Sequence, residues 1–240
     1  MKEKIWLSSP HMGGHEINYI NEAFENNWIA PLGPNVNGFE SDLENYLQQN
    51  KHVSALSSGT AALHLALVLL GVTANDDVIC QSLTFSASAN PIIYVGANPI
   101  FVDSEPTTWN ICPTALEEAI IAGQKKGKLP KAIIAVCIYG MPYNNDAIRE
   151  IAVRYQIPII EDSAESLGSA YKGQKCGTLG DVSVLSFNGN KIITTSGGGA
   201  LVVDDKTKKD KTIFLSTQSK DDAPHYQHSE LGYNYRLSNV

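Results

Sequence analysis

From residue 52 to residue 187, short apolar runs rich in β-branched residues alternate with longer stretches of helical spacing, and few folds accommodate that rhythm. HVSALSSGTAALHLALVLLGV (52–72) reads as strand, small-residue turn and helix; DDVICQ (76–81) and the span 83–103 read as strand, helix and strand. Residues 116–127, 130–140, 145–156 and 157–162 continue as helix, strand, helix and strand, and VSVLSF (182–187) is a further buried strand. Strands that alternate with helices predict an α/β fold with a mostly parallel central sheet and helices on both faces. In such sheets ligands bind outside the carboxyl ends of the strands, so the residues that follow each strand are the ones to question.

The residues before this region predict a helix over 15–27, with Ile17, Ile20, Ala23 and Phe24 on one face, and a second helix over FESDLENYLQQ (39–49). Between them NWIAPLGPNVNGF (27–39) carries two prolines and two glycines and reads as a shaped loop. Near the other end, the KTKKDK run (206–211) reads as a solvated turn after a strand.

Three strand ends carry chemistry. Ser57, Ser58, Gly59 and Thr60 sit between a strand and an apolar helix, where free N–H groups and the helix dipole favour an anion such as phosphate; a plain capping role for Ser58 or Thr60 accounts for this stretch equally well. No GxxxxGK[ST] loop is present. IPIIED (157–162) buries a strand and presents two carboxylates at its end, so Asp162 needs a cation or several hydrogen bonds, unless it only caps the next segment. Lys191 follows the strand 182–187 and precedes the small, flexible ITTSGGG (193–199); by itself it is an ordinary strand-end lysine. Phe85 also follows a strand, where an aromatic is more often core than ligand platform.

At 240 residues and 43% apolar content, the chain can form one large α/β domain or two small ones. The net charge of −7 and scattered lysines offer no basic face, so nucleic acid is not an expected partner. Cys80, Cys112, Cys137 and Cys176 form no CxxC pair and read as free thiols of a reducing compartment, with no metal site expected. The opening MKEKIWLSSPHMGG lacks the apolar core of a signal peptide, and no stretch approaches the ~20 apolar residues of a membrane span, so a cytoplasmic location is expected.

Taken in order, SSGTAAL (57–63), LTFSASAN (83–90), IIEDSAESLGS (159–169), GDVSVLSFNGNK (180–191) and GYNYR (232–236) resemble the motif set of the DegT/DnrJ/EryC1/StrS family of sugar aminotransferases, which use pyridoxal 5′-phosphate. The resemblance implies an aspartate-aminotransferase-like, fold type I large domain over residues 1–240, with an N-terminal segment at 1–37. LSSPHMGGHE and NWIAPLGP are similar, more narrowly, to enzymes of bacillosamine-type pathways that aminate UDP-linked 4-keto-6-deoxy-N-acetylhexosamine.

Carried over residue by residue, the resemblance implies that Lys191 holds the cofactor covalently and acts as base, and that Asp162 pairs with the ring nitrogen. It implies stacking by Phe85, a phosphate site from Ser58, Gly59, Thr60 and Ser186, and Glu165 near the phenolic oxygen, where many members carry Gln. Asn234 is implied to reach the phosphate of a neighbouring subunit, which makes a homodimer part of the site. Glutamate is the implied amino donor and a nucleotide-linked keto sugar the acceptor, in two half-reactions with ping-pong kinetics. Lys191 argues against the sibling dehydratases, which carry histidine there. Another keto sugar or cyclitol as substrate, and a non-catalytic relative with a binding role, are the alternatives. By position in the resemblance, His11, Asn188 and the NWIAPLGP loop are candidate substrate contacts. Family members continue into a smaller C-terminal domain, so the resemblance places RLSNV (236–240) within a helix that leads there and a small domain outside this chain.

Overall fold

The computed structural model describes residue 4, residues 9–48 and residues 50–240. Residues 1–3 and 5–8 of the opening stretch, including Leu7 and Ser8 of the LSSPHMGGHE motif, and Gln49 of the second expected helix lie outside the described residues. Seven strands form one sheet: β1 (His52–Leu56), β2 (Asp77–Gln81), β3 (Asn98–Val102), β4 (Ala132–Val136), β5 (Ile159–Asp162), β8 (Val182–Ser186) and β9 (Gly199–Val203). The short β6 (Ala170–Tyr171) and β7 (Gln174–Lys175) pair as a separate hairpin. The sheet order is β1-β9-β8-β5-β4-β2-β3, parallel throughout except for β9, which runs against both neighbours. Six strands therefore end, and β9 begins, at one edge.

The helices are α1 (Glu16–Glu25), α2 (Pro34–Leu47), α3 (Gly59–Leu69), α4 (Asn90–Tyr94), α5 (Pro113–Lys125), α6 (Asn145–Tyr155) and α7 (Lys206–Ser216). Strand periodicity explains how they distribute, because successive side chains point to opposite faces. Val78, Ile134 and Ile160 pack with α3, α4 and α7 side chains such as Leu63, Leu67, Ile92 and Leu215. Their neighbours Ile79, Ile133 and Ile159 pack on the other face with Leu116 and Ile120 of α5 and Ile148 and Ile151 of α6. At the β1 end of that second face, Leu43 and Leu47 of α2 cover Val53, Ala200 and Val202. Among the described residues no helix is long and apolar enough to cross a membrane.

Three local expectations are corrected. Residues 34–38, read as loop, are the first turn of α2: Pro34 stands at its start, where a missing N–H costs nothing, and Asn239 Oδ1 accepts from the N–H groups of Asn35 (2.9 Å) and Val36 (3.3 Å). The KTKKDK run opens α7 instead of forming a turn. Asp205 caps it through Thr207 N at 2.7 Å, and Lys209 Nζ lies 2.8 Å from Glu44 Oε1, so Lys209 has a specific partner. Residues 236–240 are not helical. Arg236 makes an isolated bridge with Leu56 and pairs through its guanidinium with buried Glu40, while Asn239 is committed to α2 and to the Trp28 carbonyl.

Candidate active site

Ladder register sets Leu56, Gly199 and Ser186 side by side at the common edge. Ser57 N then donates to the Tyr235 carbonyl at 2.7 Å, and Ser58 takes an extended backbone as N-cap of α3, its Oγ accepting from Ala61 N at 3.0 Å. The capping and anion-binding readings of this turn are compatible. With Ser58 serving Ala61, the Gly59 and Thr60 N–H groups have no intrahelical acceptor and are free for a ligand. A Cβ on Gly59 would lie 3.1 Å from Ser186 Cβ and 3.3 Å from its Oγ, so the turn rests directly against that hydroxyl. Gly199 lets β9 pass so close: a Cβ there would meet Ser58 C at 2.3 Å.

Asp162 ends β5 only 4% exposed. Burial raises its proton affinity above that of an ordinary aspartate. Opposing this, Ser88 Oγ donates to Oδ2 at 2.6 Å, Ala164 N donates to Oδ1 at 3.2 Å, and the Lys191 charge favours the ionised form. Lys191 lies in the loop between β8 and β9, its backbone closed by a 2.9 Å bond to the Asn188 carbonyl. Its Nζ is 3.4 Å from Glu165 Oε1, and Glu165 Oε2 accepts from Tyr139 N at 2.8 Å. Tyr139 has a left-handed backbone (φ 50°), and its side chain is exposed.

Phe85 is 73% exposed and caps the 3₁₀ turn Ser86–Ser88. Its carbonyl accepts from Ser88 N at 3.0 Å, so a free aromatic face stands one turn from the serine that binds Asp162. The structure thus joins Ser58, Gly59, Thr60 and Ser186 in one group and Lys191, Glu165 and Asp162 in another, with Phe85 linked to the second through Ser88. Asn234 makes its contacts with neither group. It is exposed, bridges Thr217 and accepts from Gln218 Nε2 at 3.0 Å, while Tyr233 and Tyr235 on either side pack around buried His64.

Of the candidate substrate contacts, His11 is beside the lysine loop, its N–H donating to the Ile192 carbonyl at 2.8 Å. Asn188 bonds to Asn190 Oδ1 at 3.2 Å, and the 27–34 loop exposes Trp28, Ile29 and Leu32. Sequence reasoning missed Ser88, Thr84, the Tyr139 N–H and the Tyr235 carbonyl. Ser88 lay inside the LTFSASAN motif, but a serine whose partner is 74 positions away has no local signature. The donor set fits the cofactor implied by the resemblance: unpaired N–H groups and hydroxyls for a phosphate, a buried carboxylate with spare lone pairs for a ring N–H, an amine paired with Glu165, and an exposed aromatic tied through Ser88 to that carboxylate.

Known proteins agree with this reading. EpsN of Bacillus subtilis (strain 168), provisionally named a pyridoxal phosphate-dependent aminotransferase, is 56% identical over all of this chain and 62% of its own length. GDP-perosamine synthase of Escherichia coli O157:H7 is 41% identical over 98% of this chain and 63% of its own. The chain therefore spans less than two thirds of these relatives. A DegT DnrJ EryC1 StrS aminotransferase from Brucella abortus superposes with a TM-score of 0.87 at 35% identity, over 93% of this chain and 60% of that one, and shares the fold type I architecture. The profile of the DegT/DnrJ/EryC1/StrS aminotransferase family matches residues 10–240, and the chain belongs to that family.

Proposed function

We propose that the protein is a pyridoxal phosphate-dependent aminotransferase that moves an amino group from glutamate to the 4-keto position of a nucleotide-linked 6-deoxy-N-acetylhexosamine. In this reading it works as a cytoplasmic homodimer, with residues 1–240 as the cofactor-binding large domain. The observation that carries the reading is the convergence, at one sheet edge, of the Ser58–Thr60 turn, buried Asp162 and the Lys191–Glu165 pair.

When bound, the cofactor supplies an aldehyde that captures amines and a ring that accepts electrons from a carbon losing its proton. The protein's own residues do the rest. The Gly59 and Thr60 N–H groups and the Ser186 hydroxyl hold the phosphate, and Phe85 offers its exposed face to the ring. Asp162, as a carboxylate, orients and charges the ring nitrogen. Lys191 carries the proton to and from the donor's α-carbon, and Glu165, itself fixed by Tyr139 N, stands 3.4 Å away to steady that amine. Asn234 is assigned to the phosphate of a second copy.

Adding pyridoxal phosphate to the wild-type protein should produce the visible absorbance of bound cofactor, and Lys191→Ala should abolish it. A wild type that gives no such absorbance overturns the enzyme reading. A coupled assay with UDP-4-keto-6-deoxy-N-acetylglucosamine and glutamate tests the substrate, and absence of a 4-amino product removes that narrower claim. The 41% identity to a protein named GDP-perosamine synthase favours a second reading, a GDP-linked keto sugar, which the same assay tests by exchange of the nucleotide.

A further inference from the structure

We infer that Ser88, held in turn by Thr84, is a positioning residue for Asp162: its hydroxyl fixes the carboxylate and keeps it charged for the cofactor's ring nitrogen. The inference rests on the cofactor reading above for its purpose, but its geometry stands alone. Ser88 is 1% exposed, 2.6 Å from Asp162 Oδ2 and 2.7 Å from Thr84 Oγ1. An ionised carboxylate only accepts, so the single Ser88 proton points at Asp162 and the Ser88 oxygen must accept from Thr84. The chain Thr84 to Ser88 to Asp162 has one consistent direction while Asp162 is charged, and it reverses if Asp162 takes up a proton.

Few other groups sustain that charge. Asp162 accepts one more bond, from Ala164 N, and feels Lys191 as attraction and Glu165 as repulsion; Cys80 on β2 also faces it, but its thiol is pushed up to about 12, chiefly by burial, and stays neutral. Lys191 is the reactive amine in the proposed function, so its charge is not constant through turnover. Ser88 is the hydroxyl donor that stays in place. Its backbone duty, the 3.0 Å bond from its N–H to the Phe85 carbonyl, survives replacement by alanine, so the hydroxyl can be removed with the turn intact.

The test compares the wild type with Ser88→Ala, Ser88→Thr and Thr84→Val in the full chain. Without cofactor, the Asp162 carboxyl is followed by its ¹³C shift against pH. In Ser88→Ala its proton affinity should rise about tenfold or more, Ser88→Thr should restore it, and Thr84→Val should give a smaller rise. With pyridoxal phosphate, Ser88→Ala should bind roughly 10- to 100-fold more weakly in an absorbance titration. An unchanged Asp162 titration in Ser88→Ala overturns the inference, and if that variant does not fold, an unchanged titration in Thr84→Val does so. A shifted titration in a protein whose wild type binds no cofactor supports the role of Ser88 and overturns the cofactor reading instead.

Discussion

Glu161 and Asp162 are consecutive on β5 and almost equally hidden, at 0% and 4% exposure, yet their surroundings differ in kind. Glu161 points to the α5–α6 face, where Gly177 N (2.8 Å) and Ser163 Oγ (2.5 Å) donate to one oxygen, and Leu179 N (2.7 Å), Gly180 N (3.1 Å) and Ser183 Oγ (2.8 Å) to the other. Asp162 points to the other face and the site, and has Ser88 and Ala164 N. A carboxylate offers about four lone-pair positions, so Glu161 is saturated and Asp162 is left with room for another donor. Burial alone does not distinguish a structural acid from a working one; the count of donors does. One thiol on each face is held neutral for parallel reasons. Cys137 is raised well above the ordinary range by its contact with Cys176, by burial and by the charge of Glu161, as Cys80 is by burial and then Asp162.

Breaking the saturated side should have the largest effect. Glu161→Ala leaves three buried N–H groups without an acceptor and should cost about 3–5 kcal/mol, read as a lowered urea midpoint. A cost under about 1 kcal/mol would mean that water replaces the carboxylate and that the turn at 177–180 is not built around it. Ser183→Ala removes one of five N–H and hydroxyl donors, which the weaker Cys137 thiol joins, and should cost about 1 kcal/mol. A much larger cost would show that the ring of donors acts as a unit and not as a sum.

The same pair shows how far the sequence can be read. IPIIED is legible as a buried strand ending in two acids because β-branched runs between helical stretches leave little choice, and the sheet follows from repeating that pattern. Which acid is used is a matter of facing, and facing depends on helices brought in from elsewhere. Asp162 is singled out by its place at a strand end and given its role by the resemblance, whereas its partner Ser88 was not reached at all. Non-local contacts also explain the misread starts of elements. Pro34 looks like a breaker until Asn239, 204 residues after Asn35, caps the helix it begins, and Lys209 of α7 looks solvated until Glu44 is packed beside it.

The smallest effect tests the other side and should have the opposite sign. Asp162→Asn should stabilise the cofactor-free protein by about 0.5–1 kcal/mol at pH 7 while abolishing cofactor binding, since a site held ready for a cation carries a cost when empty. An amide suits the place, because Ser88 can turn to accept from it and donate to Thr84 in exchange. The sign with pH follows from the raised proton affinity of the native carboxyl. Below the unfolded value of about 3.9, both states are protonated and Asp162 costs nothing. As pH rises through the native value, the folded protein must hold a buried charge that the unfolded chain keeps in water, and stability is lost. The amide does not titrate, so the stability of Asp162→Asn relative to wild type should be least favourable near pH 3 and grow towards pH 7 in urea titrations. A difference that shrinks with rising pH would show that Asp162 is stabilised as an anion without any cofactor, and the contrast with Glu161 would then be one of degree.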